Sequence, residues 1–265
     1  GYIGSHMVLA LLGAGEDVVV LDNLSTGFRW AIDRRAKLVE GDVGDQELAG
    51  RIIREQGIDA IIHFAGSIVV PDSVTDPLAY YLNNTVKSRA LIESCVKGKV
   101  PHFIFSSTAA VYGIPDASPV TEETPKAPIS PYGSSKLMTE WMLADSAHAY
   151  GLGYVALRYF NVAGADPEGR TGQSTPRATH LIKVACQTAL GQRDRLEIFG
   201  RDYHTPDGTC IRDYIHLSDL VAAHLDALNH LRRGGGSQSF NCGYGHGCAG
   251  LGGISAGGRA TRRPP

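Results

Sequence analysis

The strongest constraint on the fold is an alternation of short apolar runs with longer segments of helical spacing in the first 160 residues. Four runs rich in Val, Ile, Leu and Phe have the length and composition of parallel strands that are covered on both faces. They are Asp17–Asp22, Lys37–Gly41, Asp59–Phe64 and His102–Ser106. The helical patterns are Gly4–Gly13, Asp45–Gln56, Leu78–Lys97 and Tyr132–Tyr150. Repeated strand–helix units require right-handed crossovers, so we predict an α/β fold with a doubly wound, Rossmann-like parallel sheet.

The pattern changes after about residue 160, where turn-rich segments separate the remaining elements. Helix candidates in this half are Leu181–Leu190 and Leu217–Leu231. We therefore predict a dinucleotide-binding domain (1–160), a smaller, partial substrate-binding lobe (161–247) and an irregular tail (248–265). The tail is rich in Gly, Ala and Arg and lacks the periodicity that a buried core requires. We also expect the first strand of the sheet and the proper end of the lobe to be missing.

Composition excludes several classes of protein. Hydrophobic residues make up 43% of the chain and charged residues 20%, and the net charge is -2, which gives no electrostatic basis for binding nucleic acid. No apolar run approaches the ~20 residues of a membrane span, so we predict no membrane association. Five scattered cysteines predict a reducing, cytoplasmic location rather than a disulfide framework. Cys242, His246 and Cys248 are too few ligands for a convincing metal site, and we predict none.

The chain opens on a glycine turn, Gly1-Tyr2-Ile3-Gly4, directly before a helical pattern. Such a turn resembles the last two glycines of G-x-x-G-x-x-G, in which the backbone approaches a pyrophosphate and the helix directs its N-terminal amides at it.

A carboxylate follows at the end of the next predicted strand. Asp22, with Asn23 beside it, lies 18 residues after Gly4, where its oxygens can accept hydrogen bonds from both ribose hydroxyls. The same charge would repel a 2′-phosphate, so the pattern favours NAD over NADP. Asp42 and Val43, directly after the predicted strand Lys37–Gly41, are candidates for flanking the adenine ring.

A hydroxyl, a phenol and an amine form the candidate catalytic group. Thr108 follows a predicted strand and therefore lies at the carboxyl edge of the sheet, where ligands bind. Ser130 and Pro131 predict a helix start, which places Tyr132 and Lys136 four residues apart on one helix face. A nearby ammonium and the helix N-terminus both favour a phenolate, so Tyr132 can act as a base while Thr108 orients the reacting oxygen.

Together these residues resemble the extended short-chain dehydrogenase/reductase family, and within it the UDP-glucose 4-epimerases of the NAD-dependent epimerase family. The resemblance runs from Gly1 to about Gly247. Besides the glycine turn and Y-x-x-x-K, the matching segments are Leu21–Gly27, His63–Gly66, Phe105–Gly113, Arg158–Asn161 and Arg212–His216. Arg158–Asn161 and Arg212–His216, with the residues around them, are the most specific of these.

The resemblance implies further roles. For the cofactor, NAD, it implies that Phe64, Ala65 and Gly66 line the groove, that Asn84 contacts it from the neighbouring helix, and that Phe160 lies where the nicotinamide meets the substrate. For a UDP-sugar it implies contacts from Asn161, His180, Leu181, Phe199 and Arg212. It also implies a homodimer formed through the helices at Leu78–Lys97 and Tyr132–Tyr150.

The implied reaction is interconversion of UDP-glucose and UDP-galactose through a transient 4-keto sugar, with tightly bound NAD regenerated in each cycle. A 4,6-dehydratase is disfavoured, because Ala109 and Ala110 cannot transfer protons. An epimerase for another UDP-sugar, a non-catalytic redox-sensing regulator and a catalytically dead NAD-binding fragment remain alternatives. Because we expect the first strand of the sheet to be missing, we also expect the chain to be poorly active or poorly folded.

Overall fold

The computed structural model describes residues 1–175, 179–198 and 200–249. Strands and helices alternate through the first 160 residues, as predicted. In chain order they are α1 (Tyr2–Gly13), β1 (Val19–Asp22), β2 (Lys37–Glu40), α2 (Gln46–Gln56), β3 (Ala60–His63), α3 (Val70–Thr75), α4 (Pro77–Tyr80), α5 (Lys87–Lys97), β4 (His102–Thr108), α6 (Pro131–Tyr150) and β5 (Gly153–Tyr159). Further elements follow: β6 (Asn161–Ala163), α7 (Leu181–Ala189), β7 (Ile211–His216), α8 (Leu217–Arg232), β8 (Gln238–Cys242) and β9 (Gly247–Ala249).

The central sheet is parallel and has the strand order β3-β4-β5-β8. Helices cover both of its faces, and β4 shows this directly. Phe103 and Phe105 pack with α2, α5 and α6, whereas Ile104, between them, packs with α8 on the other face. Because both faces are covered, every residue from Phe103 to Thr108 is buried, which accounts for the apolar run at the start of the strand. The predicted doubly wound α/β fold is confirmed.

A cleft separates β1 from the central sheet. β1 pairs with β2 alone and β3 with β4 alone among the described residues, so the facing edges of β1 and β3 have no strand between them. The cleft has a volume of about 1670 Å³, and its walls include Met7 and Leu11 of α1, Ile53 of α2 and Ile62 of β3. Met7 and Ile53 are already buried, and Leu11 and Ile62 are partly buried against the same core.

The predicted helix at Leu78–Lys97 is helical throughout but is not a regular α-helix. Asp76 caps α4 by accepting a hydrogen bond from Ala79 N–H at 3.1 Å, and Pro77 occupies the first helical position. A π-helical turn, Tyr81–Val86, then separates α4 from α5. Such a turn widens the helix by one residue, which changes the direction of the side chains that follow it, a displacement that a 3.6-residue period does not reveal.

The second half contains short strands that sequence periodicity did not reveal. β6 pairs in parallel with β7, and β7 pairs antiparallel with β9. β9 crosses the predicted boundary at residue 247, and residues 250–265 of the predicted tail lie outside the described residues. Within the described ranges, none of the helices has the length and hydropathy to cross a bilayer.

The cleft between β1 and β3 predicts that an added strand stabilises the protein. Gly1 lies beside Asp22 at the carboxyl end of β1, with 3.4 Å between the terminal nitrogen and the carboxylate. A six-residue segment of β-branched residues fused ahead of Gly1 therefore enters the cleft parallel to both free edges. Because it buries apolar surface and pairs two edges, we expect the midpoint of thermal unfolding to rise by at least about 5 °C.

The matched control is a Gly/Ser segment of the same length, which cannot bury apolar side chains. Differential scanning calorimetry of both fusions and of the unextended chain separates the two effects. Equal midpoints for the apolar and Gly/Ser fusions would contradict the proposed fit of a strand in the cleft.

Candidate active site

The cleft opens at the carboxyl ends of the parallel strands, the edge where open α/β sheets bind ligands. It continues without interruption from the space between β1 and β3 to the ends of β4 and β5. Most of the residues predicted from sequence line it: Gly1, Tyr2, Ile3, Gly4, Asp22, Asn23, Asp42, Val43, Phe64, Ala65, Gly66, Thr108, Tyr132, Lys136, Phe160, Asn161, His180 and Arg212. Segments far apart in the chain therefore meet in one cleft.

The glycine turn forms the N-terminus of α1. The helix begins at Tyr2, and no acidic side chain lies in its first turn, so the N–H groups there can face an anion. A Cβ on Gly4 would lie 3.7 Å from the Phe64 ring, which places α1 directly against the segment that follows β3. The turn and Phe64 are thus adjacent walls of the same cleft.

Asp22 and Asp42 lie at the ends of β1 and β2. One oxygen of Asp22 accepts the Leu24 N–H at 2.7 Å, and the carboxylate stays partly exposed to the cleft. Asp42 is held by the Lys87 ammonium at 2.5 Å and is contacted by the Asn23 amide at 3.4 Å. Partial burial raises the pKa of Asp42, but the hydrogen bonds from Lys87 and the Gly44 N–H outweigh it and lower the pKa. Sequence reasoning missed Lys87, because its partner lies 45 residues earlier.

Thr108 and Tyr132 meet at the end of β4. Ser130 caps α6 by accepting the Gly133 N–H at 3.2 Å, and Pro131 follows it, so Tyr132 lies in the first turn as predicted. The Thr108 side chain lies at the Tyr132 phenol. Burial raises the pKa of Tyr132, and the polar Thr108 side chain opposes that rise only in part.

Lys136 is almost completely buried, with 3% of its surface exposed. Its Nζ donates to the Ser106 carbonyl at 2.9 Å and lies 4.9 Å from the centroid of the Phe105 ring. Burial lowers the pKa of Lys136 to about 8. The lowering of the Tyr132 pKa that the sequence led us to expect from Lys136 is absent, because the ammonium is directed at a backbone carbonyl and both groups are desolvated.

Asn84 lies behind the cleft rather than in it. It is buried in the π-helical turn, and its amide oxygen accepts the Ser67 N–H at 2.7 Å. Its amide nitrogen donates to the Ser67 carbonyl at 2.9 Å and contacts the Ser135 hydroxyl at 3.1 Å. Asn84 thereby links the Ser67 loop to α6, and its contact with the cofactor stays a prediction.

The residues predicted to bind the substrate do not all line the cleft. The Asn161 amide donates to the Asp213 carbonyl at 3.0 Å, and His180 contacts the Gln173 amide at 3.0 Å. Arg212 is exposed at the cleft and forms no ion pair with Asp213, whose carboxylate accepts backbone N–H groups of the 244–245 turn. Leu181 begins α7 but does not line the cleft, and Phe199 lies outside the described residues.

Among the described residues, no group of three or more His, Cys, Asp and Glu is placed to hold a metal ion.

A buried ion pair lies directly beneath the catalytic group. The Arg158 guanidinium of β5 forms hydrogen bonds of 2.5 to 3.2 Å with the Glu140 carboxylate of α6, and both side chains are 5% exposed. The Ser107 hydroxyl donates to Glu140, and Arg158 donates to the Tyr112 hydroxyl at 2.9 Å. Two signals in the sequence mark the pair: Glu140 follows Lys136 by one helical step of four, and Arg158 is a lone charge in an apolar strand.

The comparisons with known proteins agree with this geometry. Residues 1–243 match the profile of the NAD dependent epimerase/dehydratase family. A UDP-glucose 4-epimerase of Azospirillum brasilense is 61% identical over 249 residues, which cover 94% of this chain and 72% of that protein.

Two crystal structures extend the similarity to the fold. UDP-glucose 4-epimerase from Brucella ovis in complex with NAD has a TM-score of 0.95 and 47% identity, over 98% of this chain and 79% of that one. The enzyme from Bifidobacterium longum in complex with NAD⁺ and UDP has a TM-score of 0.93 and 37% identity, over 100% of this chain and 82% of that one.

Because Lys136 is buried, we predict that its ammonium group lowers the free energy of unfolding. Its pKa falls from 10.5 to about 8, so the folded protein binds fewer protons than the unfolded one between these values. The free energy of unfolding from this group therefore rises with pH across that window, and the full penalty for burying the ammonium applies below pH 8. After allowance for the lost hydrogen bond to Ser106, we expect Lys136→Met to stabilise the protein by about 2 kcal/mol at pH 7.

Urea unfolding at pH 7 and pH 9.5 measures this effect, and the gain from Lys136→Met should shrink at the higher pH. Lys97→Met is the control, because Lys97 is exposed and pairs only with Glu93 on its own helix. A Lys136→Met variant less stable than the parent chain at pH 7 would show that the ammonium is well compensated.

Proposed function

Because this chain belongs to the NAD dependent epimerase/dehydratase family, we propose that it is a nucleotide-sugar 4-epimerase that interconverts UDP-glucose and UDP-galactose with bound NAD. The observation that carries the proposal is the meeting of Thr108, Tyr132 and Lys136 at the cleft that also contains the glycine turn and Asp22. The relatives support it, since they share the fold and most of the chain.

The residues of the cleft fit NAD. The N-terminus of α1 faces the cleft and can hold the pyrophosphate, and the partly exposed Asp22 carboxylate can accept ribose hydroxyls. Gly66 provides room beside Lys136, because a Cβ there would lie 3.1 Å from the Asn84 amide oxygen and 3.5 Å from Lys136 Nζ. When bound, the cofactor supplies the oxidation and the subsequent re-reduction of the sugar at C4.

Tyr132 moves the proton in this reaction. In its phenolate form, the Tyr132 oxygen accepts the proton of the sugar 4-hydroxyl and later returns it, so no external acid or base is required. Thr108, whose side chain lies at the Tyr132 phenol, orients the same sugar oxygen. Lys136, buried four residues further along α6, donates to the Ser106 carbonyl and lies beside Gly66, where it can hold the nicotinamide ribose.

The nucleotide part of the substrate acts as a handle. Asn161 and His180 line the cleft beyond Tyr132, on the side of the smaller lobe. The exposed Arg212 guanidinium has the planar, bidentate geometry that suits a diphosphate. Binding energy from these contacts holds C4 of the sugar beside Tyr132.

A dehydratase is disfavoured by the residues that follow Thr108. Elimination of water needs an acid–base pair next to the hydroxyl residue, and here Ala109 and Ala110 carry no ionisable group. The intact Tyr132 and Lys136 also disfavour a role confined to cofactor binding.

We also propose that the protein is a homodimer formed through the helices on either side of the π-helical turn and through α6. Leu78, Leu82 and Val86 lie four residues apart and are 77%, 55% and 52% exposed, so they form an apolar stripe. α6 contributes Trp141, which is 57% exposed. Two such helix pairs can pack as a four-helix bundle around these side chains.

The cytoplasm is the compartment that we propose. All five cysteines, at 95, 186, 210, 242 and 248, are free thiols, as expected in a reducing environment.

The epimerase proposal predicts that Tyr132→Phe abolishes conversion of UDP-galactose to UDP-glucose. Loss of the proton-accepting oxygen should lower kcat at least ~100-fold, the usual contribution of general acid–base catalysis. Chromatographic separation of the products, with NAD present and no coupled oxidant, measures this directly. Thr108→Ser keeps the hydroxyl and should keep most of the activity, whereas Thr108→Val should not.

Conversion of UDP-N-acetylglucosamine in the same assay, without conversion of UDP-galactose, would assign a different UDP-sugar. Retention of NAD without conversion of either sugar would identify a cofactor-binding protein that lacks the activity.

The dimer proposal predicts that Leu82→Glu yields monomers. A charge in the centre of the apolar stripe must be desolvated when the helices pack, which costs several kcal/mol. Sedimentation velocity should give twice the chain mass of 28.3 kDa for the parent chain and the chain mass for the variant. Leu190→Glu is the control, because Leu190 is 70% exposed directly after α7, outside the helices of the proposed interface. A monomeric parent chain would refute the proposal.

A further inference from the structure

A segment that follows β6 lies across the N-terminus of α1. This segment, residues 164–175, is here named the strap. It is tied to the first turns of α1 at two points. The Tyr2 hydroxyl donates to the Gly164 carbonyl at 2.5 Å, and the Ser5 and Thr171 hydroxyls are 3.0 Å apart. Both contacts join residues more than 160 positions apart, so the strap connects the glycine turn to the chain that enters the smaller lobe.

Between these two points the strap is closed on itself. The Asp166 carboxylate accepts the Arg170 N–H at 2.9 Å and the Arg170 guanidinium at 2.7 and 2.8 Å. The Asp166 N–H donates to the Thr171 carbonyl at 3.1 Å. Asp166 and Thr171 are both buried. The segment from 166 to 171 is therefore one compact unit, and the two attachments act on it together.

The start of the strap is fixed from the other side by β7. Gly164 has φ +111°, and a Cβ on it would lie 2.4 Å from the His216 ring nitrogen. Only glycine allows this approach. Gly164 is thus held between the Tyr2 hydroxyl and the end of β7.

The strap forms a wall of the pyrophosphate end of the cleft. Gly172, Ser174 and Thr175 face Gly1, Tyr2 and Ser5 across a small crevice. Gln173 and Thr175 also line the main cleft. The strap therefore stands beside the helix N-terminus that we assign to the cofactor pyrophosphate.

We propose that Tyr2, Ser5 and Thr171 form a latch that holds the strap closed beside the glycine turn and thereby slows the release of NAD. The inference rests on the proposed function, which places a dinucleotide at the N-terminus of α1. Tyr2 and Ser5 belong to the turns that present the phosphate-facing N–H groups, so the latch acts where the dinucleotide is held. An epimerase regenerates its cofactor in each cycle and gains nothing from releasing it, so slow release suits the reaction.

The Tyr2 phenol suits this task. Burial raises the pKa of Tyr2 to about 12, so the hydroxyl remains a neutral donor at any pH at which the protein is used. Tyr2→Phe keeps the ring, which packs edge-on against His6 at 5.5 Å, and removes only the donor. Thr171→Val is the corresponding change on the strap.

Two measurements test the latch. The first is the rate at which bound NAD is lost when the protein is diluted into a trap for the free cofactor. The second is the rate of trypsin cleavage after Arg170, followed by mass spectrometry with and without NAD. We expect each single variant to release NAD about 3- to 10-fold faster, because each loses one hydrogen bond. Cleavage after Arg170 should accelerate, and NAD should protect this bond in the parent chain.

Tyr150→Phe and Thr75→Val are the matched controls. Tyr150 is 68% exposed at the end of α6, and the Thr75 hydroxyl bonds only within its own helix. Both should release NAD and resist trypsin as the parent chain does.

The outcomes separate the latch from the proposed function. Release of NAD at the parent rate by Tyr2→Phe and Thr171→Val, or cleavage after Arg170 that NAD does not slow, would overturn the latch even if UDP-galactose is converted. Faster release and cleavage in a chain that converts no UDP-sugar would support the latch and refute the epimerase activity. A chain that never retains NAD would refute both.

Discussion

The buried pair of Glu140 and Arg158 is the interaction on which the rest of the site depends. It joins α6, which carries Tyr132 and Lys136, to β5, and through Ser107 to β4, which ends in Thr108. Removing one partner from such a pair usually costs about 3–5 kcal/mol, because the other charge is left without compensation. Its directional hydrogen bonds, unlike apolar packing, fix the register of α6 against the sheet. The distance between the Thr108 and Tyr132 hydroxyls follows from that register.

The functional side chains of α6 lower the free energy of unfolding of the protein. Burial shifts the pKa of Tyr132 upward and that of Lys136 downward, so the surroundings oppose both charged forms. A charge that enters the cleft can therefore change the protonation state of either side chain. Asn84 supports the arrangement from behind, since its amide satisfies Ser67 and Ser135 together.

The cleft and the apolar core share the same walls. Met7 and Ile62 line the cleft between β1 and β3, and a few residues further along the same elements lie the glycine turn and Phe64. The strap completes the enclosure by bringing chain from the second half onto α1. Binding of a dinucleotide and stability of the fold are therefore coupled, because a ligand that binds only the folded chain stabilises it.

The sequence by itself determined the α/β class, the strands β1 to β4, the start of α6 and, in the cleft, the glycine turn, Asp22 and the group of Thr108, Tyr132 and Lys136. These features are encoded locally: buried parallel strands need unbroken apolar runs, and Ser130-Pro131 caps a helix wherever it lies. The tertiary structure alone decided the inward direction of Asn84, the π-helical turn before α5, the pKa of Lys136 and the attachment of Tyr2 to Gly164. Each of these depends on a partner at least 17 positions away or on the exclusion of water by other elements, and no local periodicity records either.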